Sequence, residues 1–135
     1  MTAVLSFWNG ATGPSSTDDV GSLVQLLEFD EDALLLATDG DEIVGTAIVG
    51  WDGWRGTIYR VAVAPDRRRQ RIATALVRQA EANLRRRGAL RLHLIVEPDR
   101  PAAQAFWTSA GYARTDQTRF VKTFDAAAER SRTRT

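Results

Sequence analysis

The clearest pattern in the chain runs from residue 57 to residue 87. Thr57 to Val63 is β-branched and apolar and reads as a strand, which Pro65 stops. Ile72, Ala73, Leu76, Val77, Ala80 and Leu84 then recur at three- and four-residue spacing, predicting a helix from about Gln70 to Arg87 with one buried face. Gly88 is well placed to terminate it. Upstream, Val4, Leu5, Phe7 and Trp8 make a short helix-like patch, and Asn9 to Ser15 is a loop. A second helix follows, with Ser16 or Thr17 as cap, Asp18 and Asp19 in the first turn, and Val20, Leu23, Val24 and Leu27 as its buried stripe. Gly21 inside it lowers its propensity by about 1 kcal/mol against Ala.

Ala33 to Thr38, the Asp39-Gly40-Asp41 turn, Glu42 to Trp51, the turn Asp52 to Gly56 and the strand Thr57 to Val63 predict a three-stranded antiparallel meander. Leu90, Leu92, Leu94 and Val96 alternate with Arg91, His93 and Ile95, predicting a further strand. Pro101 opens a short helix, Ala102 to Ala110, carrying Phe106-Trp107 and ended by Gly111. Tyr112 to Thr115 and Thr118 to Phe124 read as a final hairpin. Asp125 to Thr135 reads as a polar, frayed tail. The order is that of an α+β domain over residues 1–124, without regular βαβ alternation.

Composition narrows the chemistry. The chain has 135 residues and a net charge of +1, so broad nucleic-acid binding is not a whole-molecule property. With no Cys, disulfides, thiolate metal sites and a cysteine nucleophile are excluded, and His93 is the only His, which disfavours a zinc site. No apolar run approaches the roughly 20 residues that span a bilayer. Met1 to Trp8 lacks the features of a signal peptide, so the expected location is cytoplasmic.

Arg67, Arg68, Arg69 and Arg71 cluster where the long helix begins. A helix N-terminus carries roughly half a positive charge and favours anions by about 0.3–1 kcal/mol each. Four cations there oppose the dipole, a conflict that an anion docked on the free backbone N–H groups removes. The turn is therefore either a phosphate site or a solvated basic loop. Arg85, Arg86 and Arg87 sit at the other end, where cations suit the dipole, and read as structural.

Taken together, these residues resemble the GNAT superfamily of acetyl-CoA-dependent N-acetyltransferases, over nearly the whole chain. The family's motif, Gln/Arg-x-x-Gly-x-Gly/Ala opening a long helix after a Val-x-Pro strand end, is matched by Arg68-Arg69-Gln70-Arg71-Ile72-Ala73 after Val63-Ala64-Pro65. A second signature, an aromatic pair followed by Gly-aromatic, is Phe106-Trp107 with Gly111-Tyr112. The Trp51-Asp52-Gly53 turn is similar to that of small stand-alone bacterial members. The resemblance implies a mostly antiparallel sheet splayed in the middle, with helices on both faces. The backbone of Arg68, Arg69, Gln70, Arg71, Ile72, Ala73 and Thr74 would cradle the CoA pyrophosphate. Val61, Ala62 and Val63 would bind the pantetheine as an added strand, and the Val61 N–H would polarise the thioester carbonyl. Arg100 and Phe106 would lie near the co-substrate. The acceptor would be a small-molecule or peptide amine attacking directly, with no covalent intermediate, no metal, no nucleic acid and no membrane.

Four departures from the pattern bear on activity. Arg71 stands at the motif's first Gly; a side chain there is expected to point away from helical backbone and to add a phosphate contact of its own. Trp107 replaces the family's usual Tyr; an indole N–H donates only, so Trp107 either contacts the thiol or packs. Arg100 replaces a common Asn. The family's first strand is not found ahead of the first helix: either the chain starts late, or the Ala33–Thr38 edge lies open, which predicts a homodimer or poor solubility. For the general base, Glu97 leads over Asp52, Tyr59 and His93, its alternative being a solvated turn carboxylate. The competing reading is a non-catalytic acyl-CoA sensor or partner module. A nucleic-acid module is disfavoured because the two arginine clusters lie roughly 25 Å apart along one helix.

Overall fold

The sheet is built by the predicted meander. In the computed structural model, which describes residues 2–11, 19–68 and 70–124, β1 (Leu34–Asp39), β2 (Glu42–Trp51) and β3 (Gly56–Val63) pair antiparallel in sequence order, and β4 (Leu92–His93) joins β3 in parallel. The first hairpin turns at Gly40, whose φ of 61° suits a residue without Cβ. On the β1 side the sheet ends: β1 pairs with β2 alone among the described strands.

Helices cover both faces. Gly45 and Thr46 are neighbours on β2 and therefore face opposite ways. On one face, α1 (Thr2–Ala11) buries Val4 and Trp8, one turn apart, against Ile48 and Ala62, and α2 (Val20–Phe29) adds Leu23. On the other, α3 (Ile72–Arg86) buries Leu76, Val77, Ala80 and Leu84. A Cβ at Gly45 would lie 2.8 Å from Ile72 and 3.0 Å from Leu76, so the first turns of α3 rest directly on the β2 backbone.

β3 is irregular. Trp51 to Ile48 pair in step with Gly56 to Tyr59, but the next pairs are Thr46 with Ala62 and Gly45 with Val63. Arg60 and Val61 thus oppose Ala47 alone, a β-bulge, and Arg60 takes a φ of 51°. The extra residue shifts the side-chain phase. A Cβ on Gly50 would meet Tyr59 and Thr57, and Gly50 shares the α1 face with Ile48; three residues beyond Tyr59, Ala62 reaches that same face.

Contacts divide the chain into two compact units, Met1–Glu97 and Pro98–Thr135. In the second, α4 (Pro101–Ser109) starts at Pro101 and ends in a Schellman motif: Tyr112 N–H donates to Trp107 C=O at 3.0 Å and Gly111 N–H to Thr108 C=O at 3.1 Å, with Gly111 at φ 98°. The Tyr112 and Trp107 rings meet edge-on at 5.0 Å, the apolar contact that accompanies such a cap. α3 ends in the same way, with Ala89 N–H bonded to Leu84 C=O and Gly88 N–H to Arg85 C=O.

Several expectations need correction. The cap of α2 is Asp19, whose Oδ1 accepts the Ser22 N–H at 2.7 Å; the expected caps Ser16 and Thr17, and Asp18, lie outside the described residues. Gly21 consequently falls in the first turn rather than the helix interior, and Val20 and Val24 are exposed while Leu26 and Leu27 join Leu23. α3 begins at Ile72, not Gln70, because Arg71 is left-handed. The strand expected over 90–96 pairs only at Leu92 and His93, opposite Gly56 and Thr57, and the pairing ends before the β3 bulge is reached. No strand forms over 112–124. Phe120, Val121 and Phe124 are exposed there, and a two-stranded hairpin is marginal without a sheet to join. The tail expected over 125–135 lies outside the described residues.

Candidate active site

Most of the residues that the sequence singles out in the first unit lie on β3 and in the turn that carries the chain from it into α3. β3 and β4 pair only at Gly56 with Leu92 and Thr57 with His93. Among the described residues no strand ladder joins β3 beyond Thr57 on the β4 side, and Leu94 to Val96 follow β4 outside any strand. Backbone N–H and C=O groups along such an edge can bind an extended ligand as though it were a strand. Val61, Ala62 and Val63 lie on it.

At the end of β3 the chain makes a 3₁₀ turn, Pro65–Arg67, and enters α3 through Arg68, Gln70 and Arg71. Two backbone bonds fix the turn: Ala64 N–H to Val44 C=O at 2.9 Å and Arg67 N–H to Ala64 C=O at 2.9 Å. The first bond of the α3 ladder runs from Ala75 N–H to Arg71 C=O at 3.1 Å. The N–H groups of Ile72, Ala73 and Thr74 therefore lie ahead of that ladder, at the positive end of a 15-residue helix. Arg71 itself adopts φ 61° and ψ 20°. This corrects the expectation of helical backbone there, and it gives a second physical reason why the related motif has Gly at this position: the left-handed region strains any residue carrying Cβ.

The arginines of this turn do not act alike. Arg67 Nη1 is 2.7 Å from Asp39 Oδ2 and its Nη2 is 3.6 Å from Glu42 Oε2, so Arg67 ties the turn to the β1–β2 hairpin. The Asp39 carboxylate raises its pKa further. Arg68 and Arg71 are exposed, and Arg69 lies outside the described residues.

The base candidates differ in setting. Asp52 Oδ1 accepts the N–H of Arg55 at 2.7 Å and of Trp54 at 2.8 Å. These bonds, that from Arg55 foremost, hold its carboxyl below the usual range, which suits a turn cap rather than a base near neutral pH. His93 sits in β4 opposite Thr57. Tyr59 is about half exposed on β3, and Glu97 is exposed beyond β4. In the second unit Arg100 precedes α4 and makes no side-chain cap bond. Phe106 and Trp107 meet edge-on at 5.1 Å.

Sequence reasoning missed a buried relay under the bulge. Trp8 Nε1–H donates to Thr46 Oγ1 at 2.8 Å, and the Thr46 hydroxyl donates to the Arg60 C=O at 2.9 Å. Thr46 is fully buried, and the Arg60 guanidinium lies 5.2 Å from the centre of the Trp8 ring. The available signal was one polar residue inside the otherwise apolar run from Ile43 to Val49. A cavity of about 390 Å³ lined by Trp51, Trp54, Arg55, Arg87, Leu90 and Arg91 lies at the Gly56 end of β3, away from the turn. Among the described residues no acidic or His cluster could hold a metal ion, and no helix is long and apolar enough to cross a membrane.

The chain is similar to known proteins in sequence and in fold. An acetyltransferase of Pectobacterium atrosepticum is 38% identical over 90 residues, covering 67% of this chain and 64% of the relative's own length. The chain thus matches somewhat less than two thirds of that relative. The aminoglycoside 6'-N-acetyltransferase AAC(6')-IG of Acinetobacter haemolyticus shares the fold with a TM-score of 0.70 at 24% identity over 92% of each chain. AAC(6')-Iy, solved with the bisubstrate analogue CoA-S-monomethyl-acetylneamine, does so with a TM-score of 0.68 at 17% identity, over 90% of this chain and 92% of its own. Residues 3–112 match the sequence model of the acetyltransferase (GNAT) family, and the chain belongs to that family.

Proposed function

We infer that the chain transfers an acetyl group from acetyl-CoA to an amine. The observation that carries this reading is the β3 edge beyond Thr57, which no described strand pairs on the β4 side and which leads through one short turn into the N-terminus of α3. The groups present suit the donor. Three N–H groups at a helix start and a left-handed residue beside them make a concave, positively polarised surface for a pyrophosphate. Arg68, Gln70 and Arg71 border it, with Arg69 in the same stretch. An extended edge suits the pantetheine amides, and Arg100 and Phe106 are the further contacts that the family pattern suggests.

In this reading the amine nitrogen attacks the acetyl carbonyl directly. The C–N bond forms, the C–S bond breaks with its electron pair leaving on sulfur, and the nitrogen gives up a proton. The Val61 N–H stabilises the developing oxyanion. Glu97 is the candidate base, and the Trp107 indole N–H the candidate hydrogen-bond donor to the departing sulfur. The names of the curated relatives support acetyl transfer, and the neighbour's ligand, which joins CoA to its acceptor, supports direct transfer. One observation favours the alternative of an acyl-CoA-binding module without turnover: Arg71 places a side chain at the left-handed position beside the cradle. A homodimer would use the free edge of β1, and light scattering reads it.

Acetyl-CoA at about 1 mM is expected to raise Tm, by an amount set by its dissociation constant. Thiol release with a panel of amines then separates transfer from binding alone. No shift at that concentration would overturn both readings.

A further inference from the structure

The bulge in β3 has a restraint of its own, and that restraint reaches the reacting centre. Arg60 C=O and Val61 N–H belong to one peptide group. That group is planar and trans, so its C=O and N–H point in opposite directions. Whatever holds the carbonyl therefore aims the N–H. The carbonyl is held by the Thr46 hydroxyl, at 2.9 Å, from β2. The Val61 N–H is thereby turned away from β2, toward the side on which no described strand pairs with β3 beyond Thr57. Without this bond the backbone has reason to move, since Arg60 carries a Cβ in the left-handed region.

The hydroxyl is itself aimed. A threonine hydroxyl has one hydrogen and rotates to suit its neighbours. Here the Trp8 Nε1–H, from α1, donates into the Thr46 oxygen at 2.8 Å and leaves the hydroxyl hydrogen for Arg60 C=O. Trp8 is 3% exposed and Thr46 is 0% exposed, so water does not compete for either bond. The Arg60 guanidinium over the Trp8 ring closes the arrangement from the other side.

We propose that Thr46, oriented by Trp8, is a positioning residue that points the Val61 N–H at the acetyl carbonyl. The proposal rests on the acetyltransferase reading for its ligand and on the hydrogen-bond geometry for its mechanism. It assigns α1 a part in catalysis at a distance, through two hydrogen bonds and one peptide plane.

Thr46→Val keeps shape and removes the hydroxyl. It is expected to lower kcat by about 10- to 100-fold, less than the roughly 100- to 1,000-fold that follows outright loss of an oxyanion donor, while KM for acetyl-CoA stays within about 2-fold. Thr46→Ser should restore most of kcat, and Trp8→Phe should lower it in the same direction. Adding Arg60→Gly to Thr46→Val should recover part of the loss, because Gly holds φ 51° without the clamp. A role confined to stability predicts otherwise: a lower Tm, an unchanged kcat below that Tm, and no rescue by Gly. That result overturns the proposal.

A binding readout needs no acceptor. Calorimetry should show the intact chain preferring acetyl-CoA over CoA, and Thr46→Val bringing that ratio to about one. An undiminished ratio overturns the proposal. If the intact chain binds neither nucleotide, the acetyltransferase reading falls, and amide hydrogen exchange at Val61 decides the clamp alone. Faster exchange in Thr46→Val supports it, and unchanged exchange overturns it.

Discussion

Arg71 carries two loads that the family motif normally gives to glycine. It stands in the left-handed region at φ 61°, and its exposed side chain borders the start of α3. The backbone load is unfavourable. Arg71→Gly should raise stability by about 0.5–1 kcal/mol in urea unfolding, strain relief being partly offset by the greater freedom of the unfolded chain. The side-chain load is read by the same variant: if the guanidinium contacts phosphate, affinity for acetyl-CoA falls although the protein is more stable. The motif was legible as a run of residue types, and so was its place at the strand-to-helix junction. The conformation of Arg71 was not, because a charge pattern carries no φ. Nor could composition separate Arg67, engaged by Asp39 and Glu42, from Arg68 and Arg71; those carboxylates are 28 and 25 residues away along the chain.

Among the elements, α3 and its seat on β2 decide where the positive helix end lies. Gly45 allows Ile72 to sit against backbone. Gly45→Ala should cost about 1–3 kcal/mol through overpacking and push the first turn of α3 outward. Urea unfolding reads the first effect. A raised dissociation constant for acetyl-CoA reads the second, and unchanged affinity would separate the seat from the site. The alternation over 90–96 shows how far pattern reasoning reaches. Leu92, Leu94 and Val96 are indeed more buried than His93 and Ile95. Pairing is another matter, because it depends on a neighbour, and β3 meets this segment only at Gly56 and Thr57. The aromatic signature at Phe106 to Tyr112 was legible as a resemblance. Its local physics, a Schellman cap with a Trp107–Tyr112 edge contact, became visible only with the backbone.

Across the first unit, a long-range ion pair fastens the end of α3 to the entry of the sheet. Arg87 Nη1 and Nη2 donate to the two Asp30 oxygens at 2.7 and 2.9 Å, 57 positions apart, a link that no local pattern could announce. The Arg87 hydrogen bonds depress the Asp30 pKa. A depressed carboxylate pKa stabilises the fold above the unfolded value, near 3.9, and that stability is lost as pH falls through the folded value. Stability should therefore drop below about pH 4, and Asp30→Asn should flatten the drop in urea titrations at pH 7 and pH 3. Arg87→Ala at pH 7 should cost about 1–2 kcal/mol, between exposed and buried pairs. Its neighbours Arg85 and Arg86 are exposed, so the C-terminal arginine cluster divides as the one at the helix start does.

The bulge at Arg60 and Val61 has a further consequence, for the lengths this chain tolerates. Because β3 carries one residue more than β2 requires, removing a single residue there would heal the ladder rather than break it. In the repaired strand Ala62 would stand two residues beyond Tyr59, still opposite Thr46 and on the Trp8 side. The pairs Thr46 with Ala62 and Gly45 with Val63 would persist, so the turn at 64–71 would leave the sheet as it does now and α3 would keep its layer. What a more regular β3 would lose is the left-handed residue and the turned peptide at Arg60 and Val61, so the shortened chain would keep its fold and give up the aim of a single N–H group.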